Sequence, residues 1–169
     1  MQNVKNDIMK KKMFLSGLGG GLDIVNTIPL YYLYKDEYDI TFGSIRPATP
    51  NDVNPCEIFD NCKQIFKIFS NSIIETDGRY FENKFADLFP NNAVYILSRN
   101  LNGRYNDKNL NSEFKKFIAA KGFDEILFID GGDKNSDGSY GVNVNEDMTY
   151  AYIVQANGIH DLKTKIYEN

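Results

Sequence analysis

The first apolar run, Met13-Phe14-Leu15-Ser16, stops at glycines, and residues 24–34 then carry apolar side chains at helical spacing behind Asp23, a suitable N-cap. Pro29 falls inside that stretch, where a proline removes a hydrogen bond and collides with the preceding turn. The regular helix is therefore predicted to start nearer Thr27, with Pro29 in its first turn. Residues 38–45 read as a second strand. Residues 46–55 hold Pro47, Pro50 and Pro55, which predicts a surface loop without a regular element. From 56 to 75 the alternation is irregular and fits either a helix followed by a strand or two short strands.

A short helical pattern over 81–89 ends at Pro90, and residues 93–97 then form a compact β-prone run expected to be central. Residues 112–121 predict an amphipathic helix, with Ser112 as N-cap, Phe114, Phe117 and Ile118 on one face, and Gly122 as the stop. The apolar run 125–129 leads directly into Asp130, as in a parallel strand covered on both faces. A last helix is expected over 148–156, opened by Asn145 or Asp147 and closed by Gly158; the final ten or so residues carry no clear pattern. Strands alternating with helices predict an α/β fold, an open and mainly parallel sheet with helices on both faces, in a single domain spanning 1–169.

Composition changes this picture little. Of the 169 residues 42% are apolar and 25% charged, which suits a folded domain able to bury a core without staples. The net charge of −4 argues against a nucleic-acid partner, and Lys10, Lys11 and Lys12 read as a solvated strand entrance. With two cysteines and one histidine, His160, no zinc knuckle can be assembled. No apolar run reaches membrane-spanning length and no secretory leader is recognised, so a cytoplasmic setting with Cys56 and Cys62 as free thiols is expected.

Two loops carry candidate chemistry. Gly17-Leu18-Gly19-Gly20-Gly21-Leu22-Asp23 lies between a strand and a helix, where backbone N–H groups and the helix end can face an anion. It lacks the sixth-position glycine of the dinucleotide fingerprint and the Gly-Lys-Ser/Thr ending of a Walker loop. A tight turn packing helix on strand is its plain structural reading, although three consecutive glycines exceed what a turn needs. Asp130-Gly131-Gly132-Asp133 ends a predicted parallel strand, so both loops are expected at the carboxyl edge, where open α/β sheets bind ligands, and Gly19–Asp23 and Asp130–Asp133 are expected to meet there on neighbouring strands. Arg46, after another strand, is a minor ligand-binding candidate beside Gly17, Gly19, Gly20, Gly21, Asp23, Gly131 and Gly132. Asp133-Lys134-Asn135-Ser136-Asp137-Gly138 copies half of a calcium loop, but its twelfth position is Val144 instead of the bidentate glutamate, so tight calcium binding is not expected. Tyr31, Tyr32, Tyr34 and Tyr38 are assigned to helix–sheet packing.

At these loops the chain resembles the domain-of-unknown-function family eleven-fifty-two, known mainly as hypothetical archaeal proteins. The similar residues are Gly19-Gly20-Gly21-Leu22-Asp23 before Ile28-Pro29-Leu30, and Asp130-Gly131-Gly132-Asp133 with Gly138 and Glu146-Asp147. The resemblance implies a Rossmann-like fold, corresponds to the N-terminal portion of the longer family members, and brings no settled activity.

The expected function is binding of a small phosphate- or carboxylate-bearing metabolite of the nucleotide or sugar-phosphate class, with catalysis on it left open by the sequence. Asp23, Asp130 and Asp133 are the catalytic candidates, with Asp130 and Asp133 also candidate Mg²⁺ ligands. A non-catalytic binding or interaction protein with a truncated family fold is the alternative. Homo-oligomerisation and the substrate stay open at this level.

Overall fold

The computed structural model describes residues 10–18, 23–75, 80–130, 133–134, 140–141 and 163–168, with side chains described as far as Ile129. Strand β1 (Lys11–Gly17) has two exposed lysines at its entrance and is buried from Met13 onward, as a strand covered on both faces must be. A 3-10 turn at Val25–Thr27 leads into α1 (Ile28–Tyr34), with Pro29 in its first turn. Asp23 does not cap it: Thr27 occupies the cap position and makes no side-chain capping bond. Strand β2 (Tyr38–Arg46) follows.

The predicted proline loop is only partly a loop. After a 3-10 turn at Pro50–Asp52, strand β3 (Val53–Ile58) includes Pro55, and β4 (Ile65–Ile74) pairs with it antiparallel. Proline is tolerated there because β3 is an edge strand and its register slips between Asn54 and Cys56, so no ladder bond is needed from that nitrogen. Helix α2 (Glu82–Leu88), β5 (Val94–Ser98) and a small hairpin, β6 (Asn100–Leu101) with β7 (Arg104–Tyr105), come next. Helix α3 (Asp107–Lys121) starts nearly two turns before the predicted cap Ser112: its cap is Asn106, whose side chain accepts the Asn109 N–H. It ends at Gly122 in the left-handed region (φ 62°), as predicted. Strand β8 (Glu125–Asp130) and the short antiparallel pair β9 (Asp133–Lys134) and β10 (Tyr140–Gly141) follow, then β11 (Lys163–Glu168), which the sequence pattern missed. The helix expected over 148–156 lies outside the described residues.

The main sheet has seven strands in the order β11-β8-β1-β2-β5-β4-β3. This corrects the expected Rossmann-like architecture: the fold is a mixed α/β one. Pairing is parallel across β11, β8, β1, β2 and β5, and antiparallel from β5 through β4 to β3. After β2 the chain does not cross over through a helix to a parallel neighbour. It runs to the far edge, makes the β3–β4 hairpin, and returns through α2 to β5.

Alternating side chains divide the core into two layers. Met13, Leu15, Ile40 and Phe42 pack with Phe85 and Phe89 of the α2 region and with Tyr31 of α1. Phe14, Ile126 and Phe128 pack with Leu110, Phe114 and Phe117 of α3. The Phe14 ring lies over β2 at Gly43, where any side chain would collide with it. Tyr31 and Tyr38 are packing residues as expected, while Tyr32 projects outward.

Candidate functional site

Strands β1 and β8 are parallel neighbours in a register that sets Gly17 beside Ile129, and the Leu18 N–H donates to the Ile129 carbonyl at 2.8 Å. The chain therefore leaves both strands from adjacent points on one edge, at Leu18 and at Asp130. Gly17 is needed there for space. A Cβ on it would lie 2.6 Å from the Ile24 nitrogen and 2.8 Å from the Asp23 carbonyl carbon, so the returning chain packs directly on its backbone. Asp23 is 4% exposed against this turn. Gly19, Gly20, Gly21, Gly131 and Gly132 lie outside the described residues. Asp130 ends β8 opposite Glu168 of β11, and Asp133 begins β9 opposite Gly141. Residues 135–139 of the half calcium loop also lie outside.

Arg46 ends β2 on the same edge, two residues past Ser44, which is in register with Gly17. It is 5% exposed rather than on the surface, and Glu82, at 1%, is its partner. Arg46 Nε lies 3.4 Å from Glu82 Oε1, the Ser44 hydroxyl donates to the same oxygen at 2.7 Å, and Glu82 Oε2 accepts the Phe81 N–H at 2.9 Å. The guanidinium also sits 4.0 Å above the Tyr80 ring. Ser44, Tyr80 and Glu82 were not found from sequence. A glutamate in a helix's first turn reads as a dipole partner, and nothing local indicates that it reaches a strand end 36 positions earlier in the chain, at Arg46.

At the opposite, amino edge of the sheet, the Tyr38 hydroxyl donates to Glu125 Oε1 at 2.6 Å. That bond, reinforced by burial and by the neighbouring negative charge, pushes the Tyr38 pKa up to about 12. Cys56 and Cys62 are both free, and burial raises the pKa of each, with the Glu113 carboxylate adding to the effect at Cys62. At Cys62 the Lys116 ammonium pulls the pKa down but does not outweigh burial and Glu113, so neither thiol is poised as a nucleophile.

Among the described residues there is no group of three or more His, Cys, Asp or Glu side chains placed to hold a metal, and no helix is long and apolar enough to cross a membrane. No protein-family model, curated protein or solved structure matches the chain. The resemblance to family eleven-fifty-two rests on the quoted residues alone.

Proposed function

We propose that the protein binds a small phosphate- or carboxylate-bearing metabolite, of the nucleotide or sugar-phosphate class, where β1 and β8 end. The observation that supports this reading is the adjacency of the two strands at their carboxyl ends, with Leu18 bonded to Ile129 at 2.8 Å. Two chain segments rich in glycine and aspartate leave the sheet side by side, at the edge where parallel strands meet their ligands. In this reading the amides of Gly19, Gly20 and Gly21 receive the anion. Asp130 and Asp133 hold Mg²⁺ against it, and Asp23 or one of the loop aspartates serves as base if the ligand is turned over.

The test is a thermal-shift screen of nucleotides and sugar phosphates with and without Mg²⁺, followed by turnover assays on the compounds that stabilise. Gly20→Val is expected to abolish stabilisation by blocking backbone approach, and Asp133→Asn to weaken mainly its Mg²⁺-dependent part. Stabilisation without turnover assigns a binding protein. If none of these compounds stabilises the protein, or if Gly20→Val leaves the response intact, the reading is wrong.

A further inference from the structure

A second cleft lies further along the sheet, beyond β2 and β5. Residues 49–51 of the β2–β3 connection, Ile58 at the end of β3, Lys63 of the β3–β4 turn, and residues 100–103 of the β6–β7 hairpin line a cleft of about 280 Å³. That is just below the range of typical ligand pockets and admits only a compact molecule. None of its lining residues belongs to β1, β8 or the segments that directly follow them in sequence, and all of them are described residues.

Its chemistry is one-sided. Thr49, Asn51, Asn100 and Asn102 supply neutral hydrogen-bonding groups, Ile58 and Leu101 supply apolar surface, and no carboxylate lines it. The nearby Asp52 is engaged in capping, accepting both the Thr49 N–H and the Thr49 hydroxyl at 2.7 Å. Lys63 is the cationic side chain in the lining, and among the described residues no carboxylate forms an ion pair with its ammonium group. The base of that lysine is nonetheless fixed, because its N–H and that of Gln64 both donate to the buried Glu113 carboxylate, at 3.0 and 2.7 Å.

The lip of the cleft is held more firmly than its small contribution to the core explains. Among the described residues the hairpin pairs only with itself, through a two-residue turn in which Asn102 (φ 53°) and Gly103 (φ 80°) both adopt left-handed conformations. Its base is locked on several sides. Arg99 grips Asp107 with two bonds of 3.1 and 3.0 Å, Gln64 Nε2 donates to the Ser98 and Asn106 carbonyls, and the Asn106 N–H closes on the Arg99 carbonyl at 2.8 Å. Within it Asn100 Oδ1 is buried and has no hydrogen-bond partner among the described residues.

We propose that this cleft binds a compact anion bearing hydroxyl or amide groups, with Lys63 as the charge partner of its phosphate or carboxylate. The asparagine amides meet its neutral polar groups, and rotation of the Asn100 amide toward the ligand gives its oxygen the donor it lacks. An ammonium group that no carboxylate among the described residues pairs, set among neutral donors and acceptors, favours an anion, and the absence of carboxylates from the lining disfavours cations.

Amide-resolved NMR titration of the full chain with inorganic phosphate, acetate and, as ionic-strength control, chloride tests this. Phosphate or acetate is expected to give saturable shifts at Asn51, Lys63 and residues 100–103, with a dissociation constant on the order of millimolar for such minimal probes. Lys63→Met should weaken that binding at least about tenfold with an unchanged melting temperature, and Lys63→Arg should keep it within about threefold. Response to phosphate alone identifies a phosphorylated ligand, and response to acetate alone a carboxylate. Shifts at Gly17, Leu18 and Ile129 report the β1–β8 site separately. The proposal is overturned if neither anion gives a saturable shift at the cleft amides, if chloride reproduces the shifts, or if Lys63→Met binds as well as the parent.

Discussion

On the α3 side of the sheet Phe14 touches the rings of Phe114, Phe117, Phe123 and Phe128 at centroid distances of 5.8, 5.5, 5.4 and 6.3 Å, while the layer under α1 and α2 mixes rings with buried charge. The α3 helix is 15 residues long and capped at both ends, by Asn106 and Gly122. Its deep carboxylate, Glu113, is met by neutral donors: two backbone N–H groups and the Asn109 amide. Helices α1 and α2 have seven residues each and no side-chain caps. Their layer carries Arg46–Glu82 at the carboxyl edge and Tyr38–Glu125 at the amino edge. Apolar packing gains free energy with each ring buried, whereas a buried ion pair roughly cancels its own desolvation. The α3 layer therefore supplies stability, and the α1/α2 layer supplies polar groups held in place by that stability.

The largest expected effect tests the first half of this contrast. Phe117 is fully buried against Phe14, Phe59, Tyr95, Phe114 and Phe123, so Phe117→Ala should cost about 4 kcal/mol in urea unfolding. A loss below about 1 kcal/mol would show that the α3 layer can collapse around the cavity and is not the rigid half.

The second half is tested by dismantling the ion pair. Glu82→Ala removes the anion beside a guanidinium that is 5% exposed and leaves the Ser44 hydroxyl without its acceptor, for an expected loss of roughly 3 kcal/mol. Replacing both members, Arg46→Met with Glu82→Leu, should recover most of that loss, since apolar residues of similar volume need no desolvation. A double variant as unstable as the single one would mean that the pair contributes net stability.

The smallest effect is read from pH. Tyr38 has its pKa raised from 10.0 to about 12 in the folded protein, so the native state holds a proton there that the unfolded chain releases. The resulting stability is fully present below pH 10 and is lost as pH rises toward 12. Tyr38→Phe should lower stability by about 1–2 kcal/mol at pH 8, and its difference from the parent should shrink between pH 10 and 12. A constant difference across that range would remove the Tyr38–Glu125 bond from the account.

Several elements were readable from local pattern because their cause is local. Burial on both faces requires an uninterrupted apolar run, and β1, β5 and β8 have one. Pro29 forces a late helix start, and Gly122 provides the left-handed stop of α3. The boundaries at Asp23 and Ser112 were misplaced because any short polar residue can cap, and the backbone geometry selects which one does. The order in which β1 precedes its glycine turn and β8 its acidic one was likewise visible, and the expectation that the two strands are near neighbours agrees with the pairing of β1 with β8.

What the sequence determined by itself, then, is which segments must be buried and where the chain must turn, since side-chain polarity and backbone restriction act over a few residues. Tertiary structure decided the partners. The β3–β4 hairpin stayed one of two alternatives because a half-exposed edge strand with a register slip at Pro55 has no clean alternation, and β11 escaped because its pairing with β8 joins segments more than thirty positions apart. The same holds for the sheet, made mixed by where β3 and β4 dock, and for Arg46 and Glu82. Contacts between distant segments depend on register and packing, which no local window contains.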